Sequence, residues 1–203
     1  MTEVTLNPCF LLVSERENYS DASQSQIRQT MSSIKNAAKG RELQLIGTTD
    51  SSTVRIVEVW DMIESWSKYI KDALIPGLLQ SKQYPNRITV MDCVNHFIDP
   101  QLHTGNLHEE MTGYIMNSPN TNLMQYQTAM VEIMNGLDMT ACKLHAAGFC
   151  AEGNLLVTEF WTDPERAERF YLHELPRYLA KVGLPPVIQG TTWRVRVGAV
   201  VTA

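Results

Sequence analysis

The chain has 203 residues, 44% of them hydrophobic, and a formal net charge of −5 at pH 7. This length and composition are ordinary for a water-soluble globular protein of one or two domains. Lysine and arginine are scattered rather than clustered, which argues against nucleic acid as a partner. No apolar run reaches the roughly 18 residues needed to span a bilayer, so no membrane association is predicted.

The N-terminal segment and the cysteines predict a cytoplasmic location. Residues 1–8 contain neither the basic stretch nor the apolar core of a signal peptide. The four cysteines are Cys9, Cys93, Cys142 and Cys150, and no two of them form a Cys-x-x-Cys pair. Buried, reduced thiols are therefore expected rather than disulfides.

The first hundred residues alternate short apolar runs with amphipathic segments. Strand-like patterns lie at 9–14, 42–48, 54–60 and 87–98. A helix is predicted over 21–39, and Gly40 is placed where such a helix should stop. A second helix should begin near Asp61 and bend or end at Pro76. The predicted order is β-α-β-β-α-β.

The same order returns after a polar linker, 99–110, that contains Pro100 and Gly105. Strands are predicted at 111–116, 141–149, 155–161 and 191–200, and helices at 122–135 and 162–181. The second of these helices has a favourable start, with an early proline and an acidic first turn. Pro176 interrupts it near the place where Pro76 interrupts its counterpart.

Shifting the sequence by 101 positions aligns the two halves. The shift places Glu58 on Glu159, Trp60 on Trp161 and Tyr69 on Phe170. The repeat predicts two domains, 1–100 and 101–203, each a split β-α-β unit of the ferredoxin-like kind. Helices cover one face of each sheet, and the other apolar face also needs a cover. The two sheets are therefore expected to pack face to face within the chain.

The Glu-x-Trp sequence that ends the third strand of each half carries a family resemblance. Followed by an acidic helix start and an aromatic inside the helix, it resembles the dimeric α/β-barrel superfamily. The nearest branch is the antibiotic-biosynthesis-monooxygenase-like domains, present as two fused copies that cover nearly the whole chain. The resemblance implies an α+β fold in which tandem ferredoxin-like repeats form an intramolecular dimeric α/β barrel, and it leaves open a homodimer of the chain.

The resemblance also implies a class of activity. The first expectation is a cofactor-independent monooxygenase, or a cyclase or isomerase, of aromatic or polyketide metabolism with a small apolar aromatic substrate. The alternative is a non-catalytic small-molecule binder or carrier of the same fold. The haem-degrading branch carries an axial histidine in the second helix, where this chain has Leu79 and Ala180. No cofactor and no metal are therefore predicted.

Candidate catalytic residues concentrate in the second half. His145 can act as an acid or a base near neutral pH, and Glu159 is a carboxylate beside aromatic residues that can act as a base. Arg194 could stabilise an enolate or phenolate through charge-assisted hydrogen bonds. Each has a structural alternative: a hydrogen-bonded core histidine, a carboxylate that holds the two halves together, and an exposed or interface arginine.

Three further residues are predicted to contact the substrate. Tyr171 is favoured because its neighbour Phe170 fills the core position of the helix. Asn117 ends the first strand of the second half, where related oxygenases can place an asparagine against the substrate, and Trp193 lies in the last strand. Because the first half has Gln44 in the strand corresponding to that of His145, the principal pocket is predicted in the second half.

Overall fold

The computed structural model describes residues 10–17, 38–49, 53–81, 85, 87–103, 110–184 and 189–195. The helix predicted at 21–39 falls outside these residues except for its last two positions, and Cys9 and Arg196 fall outside them entirely. The strands are β1 (Phe10–Arg16), β2 (Arg41–Thr48), β3 (Val54–Trp60), β4 (Arg87–Ile98), β5 (Met111–Ser118), β6 (Cys142–Cys150), β7 (Leu155–Trp161) and β8 (Gln189–Val195).

The helices lie between the strands of each half and in the linker. They are α1 (Ile63–Tyr69), α2 (Ile75–Ser81), α3 (Pro100–His103), α4 (Leu123–Gly136), α5 (Pro164–Arg169) and α6 (Leu175–Lys181). A π-helical turn, Ile70–Leu74, joins α1 to α2, and a second, Phe170–Glu174, joins α5 to α6. The protein is thus an α+β protein, as predicted.

The antiparallel strands close into a barrel in the order β1-β3-β2-β8-β5-β7-β6-β4. The two halves meet along two seams, β4 with β6 and β2 with β8. The expected simple stacking of two sheets is therefore wrong in one respect, because their edges hydrogen-bond to each other. Closure pairs the edges of the two sheets with each other, whereas open edges invite association.

Side chains from both halves fill the barrel interior. They include Leu11, Leu43, Val59, Met91, Leu144 and Phe160. Successive residues of a strand face opposite sides of the sheet, so Glu159 and Trp161 lie on the helix side of β7 while Phe160 faces inward. Every residue of β3 is buried, which agrees with its nearly continuous apolar sequence.

Three structural features recur at equivalent places in the two halves: a β-bulge, an aromatic pair and a π-helical turn. The register slips at a β-bulge between Arg41 and Leu43 in the first half, and between Cys142 and Leu144 in the second. The ring centroids of the aligned pairs Trp60–Tyr69 and Trp161–Phe170 lie 5.1 and 5.3 Å apart. Each π-helical turn ends two residues before a proline.

Pro76 does not end its helix, so of the predicted bend or end the end is wrong, and the helix predicted to reach residue 181 past Pro176 does so. The chain continues as α2 to Ser81 and as α6 to Lys181. A proline removes one N–H donor and clashes with the carbonyl four residues before it. A π-helical turn at that place changes the hydrogen-bond spacing, and such turns often lie near functional sites.

Three of the four cysteines lie in the described ranges. Cys93, Cys142 and Cys150 are free thiols. Within the same ranges, no helix has both the length and the hydrophobicity to cross a membrane.

Candidate functional site

A cavity lies in the second half, between the helix-facing side of β5, β6 and β7 and the helices α4 and α6. It contains about 570 Å³ of atom-free space, part of it open to solvent. Most of its wall is apolar and includes Met116, Met130, Ile133, Met139, Leu175 and Leu179. An apolar cavity with a few polar groups is typical of small-molecule sites.

The polar part of the wall is built around His145 and Glu159. The two residues face each other across the β6–β7 pair, and Nδ1 of His145 lies 2.6 Å from Oε1 of Glu159. Their exposed fractions are only 6% and 3%. Strand alternation places Leu144 and Ala146 in the barrel core and leaves His145 on the cavity side.

The other oxygen of Glu159 accepts two more hydrogen bonds. Trp161 donates from Nε1 to Oε2 at 3.1 Å, and the Tyr171 hydroxyl donates to the same oxygen. Burial and the negative charge of Glu159 raise the pKa of Tyr171 well above its usual range, so this hydroxyl stays protonated. The two donors on Oε2 stabilise the carboxylate form of Glu159, so the proton of its hydrogen bond to His145 is assigned to Nδ1.

The series of hydrogen bonds continues from His145 to Tyr126 and then to Asn95. The Tyr126 hydroxyl, on α4, lies 2.9 Å from Nε2 of His145. Asn95, on β4 of the first half, donates from Nδ2 to that hydroxyl at 3.1 Å. Burial raises the pKa of Tyr126, which keeps the phenol protonated and able to donate.

Both residues were missed by the sequence analysis. Tyr126 lies in the predicted helix 122–135, and its hydroxyl on the buried face shared with Ala129 and Ile133 was a usable signal. No local pattern identifies Asn95, because its contact depends on how the two halves join.

The N-terminus of α4 is firmly fixed, which sets the direction of Tyr126. Asn122 and Gln125 form a capping box, with each side chain bonded to the other residue's backbone N–H at 2.9 and 3.1 Å. Just before it, the hydroxyls of Ser118 and Thr121 lie 2.6 Å apart and also line the cavity. Ser118 pairs with Leu155, four residues from Glu159, so the two polar regions are about 13 Å apart.

Three predicted site residues are not seen in the cavity. Asn117 faces away from it, and the side chains of Trp193 and Arg194 lie outside the described part of the structure. Asn117 lies between Met116 and Ser118, which both line the cavity, so alternation directs its side chain to the opposite face of β5. In β8, the backbones of Trp193 and Arg194 pair with Gly113 and Thr112 of β5.

The equivalent position in the first half has a different polar cluster. Glu58 accepts hydrogen bonds from Nη1 of Arg41 at 3.0 Å and from Nε2 of Gln44 at 2.6 Å. The Arg41 guanidinium also lies over the rings of Trp60 and Tyr69. The suggestion that Glu58 and Glu159 hold the two halves together is wrong, because each bonds within its own half on the helix-facing side.

Among the described residues, no three His, Cys, Asp or Glu side chains lie close enough to hold a metal ion. Leu79 and Ala180, which occupy the places of the axial histidine in haem-degrading proteins, are exposed.

No protein-family model and no curated protein matches the sequence, but solved structures match the fold. A candidate monooxygenase from Fusobacterium nucleatum subsp. nucleatum superposes with a TM-score of 0.72 and 12% identity, over 98% of this chain and 96% of that one. An anthrone oxidase-like protein gives 0.59 and 10% identity, over 95% and 92%. A candidate chlorite dismutase gives 0.56 and 13% identity, over 94% of both chains. At such low identities the likeness shows a shared fold, which confirms the resemblance at that level.

Proposed function

We propose that the cavity of the second half is an active site that removes a proton from a small, mainly apolar aromatic substrate. The observation that carries this proposal is the buried His145–Glu159 pair on the wall of an otherwise apolar cavity, with Tyr126 against Nε2. A histidine whose other nitrogen is bonded to a carboxylate is an oriented general base. The apolar walls favour a flat, uncharged substrate over a polar one.

The proton moves through Tyr126. Its hydroxyl oxygen accepts the proton of an acidic O–H or C–H of the substrate while its own proton passes to Nε2 of His145. The resulting imidazolium is stabilised by the Glu159 carboxylate. Arg194 as the stabiliser of the substrate anion and Trp193 as a substrate contact stay predictions, since their side chains lie outside the described part of the structure. Asn117 receives no role because of its place on the opposite face of β5.

The substrate anion opens two reaction routes. In the monooxygenase route, an activated CH₂ group and dioxygen give a carbonyl and one water, so the substrate supplies all the electrons and no cofactor is needed. In the cyclase or isomerase route, the same anion attacks or rearranges within the substrate and consumes no oxygen. The fold shared with candidate monooxygenases and an anthrone oxidase-like protein favours the first route, as an argument from analogy.

Oxygen uptake with a panel of anthrone- and naphthol-like compounds tests the proposal. We expect one O₂ consumed per product molecule. The rate should fall at least about 100-fold in His145→Gln, as for the loss of a general base, and little in the control His96→Ala. Product formation without oxygen uptake would select the cyclase or isomerase route. Turnover that survives His145→Gln unchanged would contradict the assigned base.

A second candidate function, a small-molecule carrier, is favoured by the methionines of the cavity. Met116, Met130 and Met139 line it, and flexible methionine side chains suit a pocket that adapts to several apolar ligands. Saturable binding of the same compounds, with neither oxygen uptake nor product, would support this function.

The two halves are proposed to be fused copies of one domain that form the equivalent of a dimeric barrel within one chain. The recurrence of the bulges, aromatic pairs and π-helical turns supports this origin. Cytoplasmic location is favoured by the free thiols of Cys93, Cys142 and Cys150. A homodimer of the whole chain stays a prediction, which sedimentation equilibrium would test.

A further inference from the structure

We propose that Asn95, which belongs to the first half, is a positioning residue for the site in the second half. Its amide holds the Tyr126 hydroxyl with the proton directed at His145. The contribution of Asn95 to turnover rests on the proposed function. The effect of Asn95 on the proton between Tyr126 and His145 does not rest on that function, because the position of this proton can be measured in the resting protein.

Counting hydrogen-bond donors and acceptors fixes the direction in which the hydrogen bonds run between Asn95 and Glu159. In the neutral imidazole with its proton on Nδ1 toward Glu159, Nε2 of His145 carries a lone pair and needs a donor. The only proton that Tyr126 has is therefore directed at Nε2, 2.9 Å away. The Tyr126 oxygen is then left as an acceptor, and Nδ2 of Asn95 supplies the donor at 3.1 Å. An N–H on this oxygen also stabilises the negative charge that develops when Tyr126 passes its proton to His145.

A β-bulge brings Asn95 to this position. The register of β4 against β6 slips between Cys93 and Asn95, and Cys93 packs against the barrel core. Regular alternation would direct Asn95 to the same interior face. Instead Asn95 pairs with Ala147, which clusters with Tyr126 on the helix side. Bulges redirect side chains in this way and are frequent next to active sites.

The seam between the halves therefore completes the site. Tyr126, His145 and Glu159 come from the second half, and Asn95 reaches them from β4 across the β4–β6 pairing. The first half is thus more than a cover for the second, since it supplies the N–H that bonds the Tyr126 oxygen of the proton relay.

Two substitutions separate this role from simple packing. Asn95→Leu keeps the approximate size but removes the donor, so the relay keeps its direction and loses the stabilising N–H. Asn95→Asp replaces the donor by an acceptor. The Tyr126 hydroxyl then donates its hydrogen bond to the new carboxylate. The Tyr126 oxygen in turn accepts a hydrogen bond from a protonated Nε2 of His145.

The experiment is ¹⁵N NMR of the full-length protein labelled at histidine, at pH 7, combined with steady-state kinetics. The spectrum of His145→Gln identifies the signals of His145 among those of the five histidines. In the wild type, Nδ1 should appear protonated and Nε2 unprotonated. Asn95→Leu should keep this pattern with kcat lowered roughly tenfold, the equivalent of one hydrogen bond, and KM nearly unchanged. Asn95→Asp should show Nε2 protonated and a larger loss of kcat.

Asn135→Asp, the same substitution at an exposed position of α4, is the matched control and should leave both readouts unchanged. Urea midpoints verify that every variant is folded. An unprotonated Nε2 in folded Asn95→Asp would overturn the positioning role, as would an unchanged kcat in Asn95→Leu. If no substrate is turned over but Asn95→Asp still protonates Nε2, the positioning role stands and the proposed enzyme function fails.

Discussion

Gln44 and His145 occupy equivalent places in the two halves. Nε2 of Gln44 lies 2.6 Å from Oε1 of Glu58, and Nδ1 of His145 lies 2.6 Å from Oε1 of Glu159. All four side chains are buried. An amide can hold the carboxylate but cannot take up a proton, whereas an imidazole can do both. The exchange of amide for imidazole at this position is thus one of the differences that separate a structural hydrogen bond from a candidate general base.

The first prediction follows from this equivalence. His145→Gln should retain a hydrogen bond to Glu159, as Gln44 bonds to Glu58, and so should cost no more than about 1 kcal/mol of unfolding free energy. The reciprocal Gln44→His should not produce a second active site, because Arg41 already binds Glu58 at 3.0 Å. Urea unfolding with turnover assays measures both effects. Turnover by Gln44→His after His145 is removed would contradict the one-site assignment.

The second prediction concerns Trp60 and Trp161, both fully buried. Trp161→Ala and Trp60→Ala should each cost about 3–5 kcal/mol, as is usual for large aromatic residues in a core. The phenylalanine variants should differ from each other. Trp161→Phe removes a donor to Glu159, whereas Nε1 of Trp60 has no hydrogen-bond partner among the described residues. Urea midpoints measure the four costs, and equal losses in the two phenylalanine variants would show that the bond to Glu159 contributes nothing.

The regular elements could be predicted because local sequence determines them. The strands at 54–60 and 155–161 have the predicted bounds, since their apolar and β-branched runs are ended by turn residues on both sides. The residues of the site were harder to predict. His145, Glu159 and Tyr171 were nominated by residue type, but their contacts depend on cross-strand pairing.

Asn95 could not be nominated from the sequence. Its direction depends on a bulge that strand alternation does not predict, and its partner Tyr126 is 31 positions away. The π-helical turns before Pro76 and Pro176 were equally hidden, because the pattern indicates that a proline interrupts each helix but not how the backbone accommodates it.

The third prediction concerns the ion pair of the first half. Arg41→Met should leave Glu58 as a buried, uncompensated charge and cost about 3–5 kcal/mol. Adding Glu58→Gln to Arg41→Met removes the charge and should recover most of the loss. Turnover per folded molecule should be unchanged in both variants, because the proposed site lies in the second half. Chemical unfolding and kinetics at matched folded fraction provide the measurement. A failure of the double variant to recover would show that the stacking of Arg41 on Trp60 and Tyr69 matters more than the charge.

The last prediction concerns stability at alkaline pH. The pKa of Tyr171 lies well above its usual value of 10.0, chiefly because of burial and then because of the Glu159 charge. As the pH rises past 10, the unfolded chain releases this tyrosine proton while the folded protein keeps it. The unfolded state then binds fewer protons than the folded state, so the unfolding free energy falls with pH, by about 1.4 kcal/mol per unit for each such tyrosine.

Tyr171→Phe removes one of these groups and should flatten the decline between about pH 10 and pH 11.5. Tyr126 and Tyr69 are also buried with raised pKa values, so part of the decline should remain. Urea midpoints of the wild type and the variant, measured from pH 8 upward, give the two slopes, and the values at pH 8 serve as the reference for each protein. Identical slopes would mean that the Tyr171 hydroxyl titrates normally in the folded protein. Its hydrogen bond to Glu159 would then be too weak to orient that carboxylate toward His145.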